Sequence, residues 1–115
     1  MASATEARRP GEFMVSEANG HRSREQIVVA SGEGVLEAGT VLGVVTASGK
    51  YAAYDDAAAD GTEAAAGILF AGVDATSADA NAVAIVRDAE VIGARLTGSN
   101  ANGEADLAAL GIIVR

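Results

Sequence analysis

Apolar positions in this chain fall in short runs broken by glycine. Ile27, Val28 and Val29 form a β-branched run closed by Ser31-Gly32, the mark of a strand. Glu37-Ala38-Gly39 then reads as a turn and Val41 to Thr46 as a second strand. Ser48-Gly49 turns the chain, and Lys50 to Tyr54 returns as a third strand. A β-rich run, a glycine turn and the aromatics Tyr51 and Tyr54 make this pair a hairpin.

The stretch "DDAAADGTEAAAGILFAGV" is ambiguous by propensity, because its alanines favour helix. A helix from Ala57 to Ala71 would carry Gly61 and Gly67 inside it and Gly72 beside it, at about 1 kcal/mol each. Its apolar face would be mostly alanine. The glycine-bounded "GILFAGV" suits a buried strand better. The expectation is a loop over 55–66 and a strand over 67–73. Further on, "AVAIVRDAEVIGARL" alternates with period two, placing Val83, Ile85, Arg87, Ala89 and Val91 on one face. Arg87 and Asp88-Ala89 mark a tight reversal between two short strands. A short helix is expected at 103–110, with Asn102 as its cap, Glu104 and Asp106 in its first turns and Gly111 at C′. "GIIVR" closes the chain as a strand. The fold class is therefore mainly β with one short C-terminal helix.

Residues 1–25 lack a sustained period and contain Pro10, Gly11 and Gly20. They read as an N-terminal arm, flexible when free and ordered on a partner, attached to a β-rich domain over 26–115. Half of the residues are hydrophobic, but many of these are alanine, and the only aromatics are Phe13, Tyr51, Tyr54 and Phe70. Alanine buries little area, so the core is thin and oligomerisation is an expected remedy. There is no Cys, which excludes disulfides and thiolate metal sites. The arm balances Arg8, Arg9, Arg22 and Arg24 against Glu6, Glu12, Glu17 and Glu25, so the rest of the chain carries the whole net charge of −8. An acidic body is a poor partner for nucleic acid. No stretch approaches the roughly 20 apolar residues that a membrane span needs, and "MASATEARRPGEF" has no apolar segment of a secretory signal.

Candidate chemistry is sparse. His21 is the only histidine, and a lone His in a polar arm supports no nucleophile–base arrangement. Asp55, Asp56, Asp60 and Glu63 crowd one loop. Counted from Asp56 as an EF-hand loop, the third position is Ala58 and the twelfth is Gly67, so the calcium ligands are missing. Read instead as an acid–base pair, adjacent carboxylates lack an apolar pocket to raise a pKa. The glycines of "GEGVLEAG" have the wrong spacing for a phosphate loop, and no Lys follows them. Lys50 sits near a hairpin tip, as the modified lysine of lipoyl and biotinyl carrier domains does. Its setting, "SGKYA", lacks their Asp-Lys-Ala or Met-Lys-Met pattern. No catalytic residue, metal site or cofactor is expected.

Four pieces taken in order, "LEAGTVLG" with "GKYAAYD", "AAGILFAGVDAT", "AIVRDAEVIGARL" and the terminal helix and strand, resemble the head decoration proteins of tailed phages, the lambda protein D type. The likeness spans Val35 to Val114 and leaves residues 1–25 unmatched. It implies a β-clip-type fold and a cement function without enzymatic activity. Homotrimers would sit at local three-fold positions on the outside of the expanded capsid and bind the major capsid protein, with the N-terminal arm adding a strand to a capsid sheet. On this view Gln26, Ile27, Val28, Val29 and Ala30 contact the capsid. Alternatively, the run pairs within its own domain. The rival functions are a carrier domain modified on Lys50 and a general β interaction module.

Overall fold

The computed structural model describes residues 8–20 and 22–115; His21, considered above for chemistry, lies outside them. The described strands are β1 (Met14–Glu17), β2 (Arg24–Val29), β3 (Gly34–Leu36), β4 (Val41–Val44), β5 (Tyr51–Ala53), β6 (Gly67–Leu69), β7 (Val73–Ala75), β8 (Ala80–Ile85), β9 (Ala89–Val91) and β10 (Ile112–Val114). One helix, α1 (Ala101–Ala109), precedes β10. The fold is mainly β, as expected.

Five strands close a small barrel in the order β2-β5-β4-β6-β8. A three-stranded sheet, β1-β9-β10, and a two-stranded ribbon, β3-β7, are appended to it. Pairing is antiparallel except β9 with β10 and β2 with β5, and β2 meets β5 at a single position, Val29 opposite Tyr51. The expected hairpin is β4 and β5, with Leu42 opposite Ala53 and Val44 opposite Tyr51. Its turn is closed by Val45 N–H donating to the Lys50 carbonyl at 2.8 Å.

Period-two alternation sends neighbouring residues of one strand into two different cores. Val41, Ile68 and Ile85 point into a cluster with Phe13, Val91, Leu107 and Ile112, where the appended sheet and α1 cover the barrel. Leu42, Leu69 and Ala84 point into a second cluster with Ile27, Val29 and Ala75. All three residues of β6 are therefore buried. This explains why "GIL" reads as a continuous apolar run rather than an alternating one.

Three local expectations change. The strand over 67–73 is two strands, β6 in the barrel and β7 in the ribbon. Gly72 lets the chain pass between them, since a Cβ there would lie 3.2 Å from the Leu36 carbonyl. The reversal at Arg87–Ala89 is real, with Asp88 at φ 50, but β8 and β9 join different sheets and do not pair. The helix cap is Asn100, not Asn102: its side chain accepts from Gly103 N–H, and α1 begins two residues earlier than expected. Gly111 does take the left-handed conformation (φ +83) that follows the helix.

Described residues before 26 pack on the body of the fold. Phe13 is fully buried in the first core cluster, β1 pairs with β9, and Ser23 is buried with its hydroxyl donating to the Asp88 carbonyl. A single aromatic in a polar segment has no periodicity, so its burial leaves no pattern to read. The loop at 55–66 is as expected. Thr46 N–H donates to the Asp60 carbonyl, and Gly61, at φ +112, lies where any Cβ would strike the Val44 carbonyl.

Candidate interaction surface at the barrel seam

Gln26 to Ala30 occupy β2 and the residue after it. One edge of β2 is fully paired: residues 24–29 face 85–80 of β8 in antiparallel register. The other edge meets β5 only at Val29. The hydrogen-bond phase follows from flanking bonds. Val86 N–H donates to the Ser23 carbonyl, so odd-numbered residues of β2 direct their backbone polar groups at β8. Arg24, Gln26 and Val28 direct theirs the other way. Ala30 N–H uses this second side to reach the Tyr51 carbonyl at 2.8 Å. Before Val29 no described strand pairs with this edge.

A shallow groove of about 940 Å³ runs here, walled by Gln26 and Val28 of β2, Lys50 and Tyr51 of the hairpin, and Asn81 and Val83 of β8. The side chains of Gln26 and Val28 are exposed, while Ile27 and Val29 are buried in the second core cluster. Of the five residues proposed to contact the capsid, Ile27 and Val29 thus serve the domain's own core. Gln26 and Val28 are left to face outward.

Beside the groove, Arg24 lies over the Phe70 ring, 4.2 Å from its centroid, and forms a paired hydrogen bond with Glu17 at 2.7 and 3.1 Å. Cation–π and carboxylate contacts hold the guanidinium over the Phe70 ring. The Glu17 hydrogen bond also raises the Arg24 pKa, holding the charge. This arrangement joins β1, β2 and the end of β6, and no spacing in the sequence announces it.

Lys50 is paired with Asp79 at 2.7 Å, and Asp79 also accepts from Ser31 N–H. The Lys50 hydrogen bond, with Ser31 second, holds the Asp79 carboxyl below its usual range. The lysine is thus drawn down against the β7–β8 loop. The acidic loop is structural: Asp55 accepts from Ala57 N–H, Asp60 from Thr62, Glu63 from Gly61 N–H and Asp56 from the Asn102 amide. The Thr62 hydroxyl, at 2.6 Å, leads in lowering the Asp60 pKa. Among the described residues no group of three or more His, Cys, Asp or Glu gathers to hold a metal. No described helix is long and apolar enough to cross a membrane.

Among the described residues the most exposed large apolar side chains are Val35 on the ribbon (72% exposed), Val15 on β1 and Ile113 on β10. None of the three lines the seam groove. Comparison with known proteins adds what geometry alone does not. No curated protein matches the chain. The family model described as bacteriophage lambda head decoration protein D matches residues 3–112, so the likeness extends through the N-terminal segment that motif reading left unmatched. The chain belongs to this family of phage head decoration proteins.

Proposed function

We propose that this protein is a cement protein of a phage head. It binds the outer surface of the expanded shell as homotrimers at local three-fold positions and holds neighbouring capsid subunits against internal DNA pressure. The observation that carries the reading is the family match over residues 3–112. Its role is structural rather than enzymatic, in keeping with that family.

The contact with the major capsid protein is assigned to Gln26–Ala30. An extended capsid segment lying in the seam groove would pair with the edge of β2 that β5 leaves uncovered. The backbone groups of Gln26 and the N–H of Val28 supply the hydrogen bonds, and the exposed Gln26 and Val28 side chains supply register. One such short strand binds weakly, because ordering each residue costs about 1–2 kcal/mol of backbone entropy. Three copies acting together raise the total through effective concentration.

Two proline variants test the assignment. Val28 directs its N–H at the open edge, so Val28→Pro removes no bond to β8 and keeps the fold. Ile27 directs its N–H at β8, so Ile27→Pro breaks the ladder and unfolds the barrel. The expected result is a folded Val28→Pro protein that no longer sediments with shells. A folded Val28→Pro protein that binds as well as the wild type moves the capsid contact away from β2.

A further inference from the structure

The chain contains two Asn-Gly pairs, Asn19-Gly20 and Asn102-Gly103, and the fold treats them in opposite ways. We propose that Asn19 is a site of spontaneous covalent modification, converting to aspartate and isoaspartate in the folded protein, while Asn102 is protected by α1.

The reaction needs the backbone nitrogen after an asparagine to reach that residue's side-chain carbonyl carbon. The nitrogen gives up its proton to solvent base and attacks Cγ. The bond from Cγ to the amide nitrogen breaks, and ammonia leaves. Water then opens the resulting five-membered imide at either carbonyl, giving aspartate or isoaspartate. One water is consumed and one ammonia released, with no oxidant or cofactor. Glycine after the asparagine favours the attack because no side chain obstructs it.

At Asn19-Gly20 no described contact opposes the attack. Both residues are exposed in the loop between β1 and β2. Gly20 sits at φ +68, and a Cβ built on it would find nothing within 4 Å among the described residues, so the glycine lies against no packed neighbour on that side. The loop is pinned on both sides of the pair, where Ala18 N–H donates to the Asp88 carbonyl and to the Ser23 hydroxyl and the Arg22 carbonyl accepts from Arg87, but none of these bonds engages Asn19 or Gly20.

At Asn102-Gly103 every participant is engaged. The attacking nitrogen, Gly103 N, donates to the Asn100 side chain at 2.8 Å as part of the helix cap. The Asn102 amide donates to Asp56 at 2.9 Å. Gly103 is buried under the Tyr54 ring, where a Cβ would lie 3.0 Å from the nearest ring carbon, and the Tyr54 hydroxyl itself donates to Asn100. Ring closure at Asn102 therefore requires the first turn of α1 to open, and its rate is scaled down by the population of that open state.

The test is peptide mapping by mass spectrometry after incubating the full chain at mildly alkaline pH. The readout is the mass gain of replacing NH2 by OH, with enzymatic methyl labelling to detect isoaspartate. In native buffer, conversion at Asn19 should run at least about tenfold faster than at Asn102. In denaturant the two sites should converge to within about threefold, since both are Asn-Gly and the helix is gone. Asn19→Gln should abolish the native signal. Equal native rates at the two sites, an Asn19 that stays intact in the native protein, or an unchanged native signal in Asn19→Gln would each overturn the proposal. The proposal does not depend on the capsid reading.

Discussion

Replacing Phe13 with Ala should cost more stability than any surface change in the N-terminal segment. Phe13 is fully buried and packs in the cluster that joins the barrel to β9, β10 and α1. Its carbonyl also accepts from Ile92 N–H at 2.7 Å, which holds the segment in place while the ring is removed. The cavity left behind cannot collapse freely between three packed elements. Truncation of a buried Phe costs about 3–5 kcal/mol, a large share of the roughly 5–15 kcal/mol that stabilises a domain. For a chain of this length 1 kcal/mol moves the melting temperature by about 4 °C, so the drop should be roughly 12–20 °C. Calorimetry and urea denaturation would read it. Val15→Ala, at an exposed position of β1, is the control and should stay within about 0.5 kcal/mol of the wild type. A Phe13→Ala protein that melts within about 2 °C of the wild type would refute the reasoning, because the segment before residue 26 would then be dispensable to the body.

Gly61→Ala should destabilise by at least about 1–3 kcal/mol, since φ +112 and the Val44 carbonyl both oppose a Cβ; unchanged denaturant midpoints would contradict this. Glu90 sets a pH dependence. Its carboxyl is held below the usual 4.5, first by the Arg115 hydrogen bonds and then by Ser16. A depressed folded pKa contributes stability that is present above the unfolded value and lost as pH falls through the folded one. Glu90→Gln should therefore melt lower than the wild type at neutral pH, and the gap should close as pH drops below 4.5. A gap that is constant with pH would contradict the pairing.

Much of the fold was legible because its strands are bounded by glycine turns. The hairpin of β4 and β5, the buried β6, the terminal helix and β10 all carry local signals. Three kinds of feature were not legible. β1 and β3 are short and carry exposed Val15 and Val35, so neither shows the alternation of a half-buried strand. Pairing partners depend on tertiary context: Arg87 to Ala89 looked like a hairpin turn, yet β9 leaves the barrel to pair with β1 and β10. The cap position was not legible because Asn100 and Asn102 are equally good caps by type, and it is the fold that sets Asn100 against Gly103 N–H and the Tyr54 hydroxyl while Asn102 bonds Asp56. At the candidate surface, the β-branched character of Ile27–Val29 was readable. That the run lies beside β8 on one side and open on the other was not, because an edge is a property of the sheet. The Arg24–Phe70–Glu17 arrangement was invisible because Phe70 lies far from the other two in sequence and only the fold brings its ring under Arg24.

Co-sedimentation with undecorated shells of the parent phage, in compact and in expanded form, tests the cement role most directly. The account predicts saturable binding to expanded shells alone, with a copy number of three for each local three-fold position. Binding to neither form by a folded protein would contradict it. Equal binding to both forms would contradict the dependence on expansion.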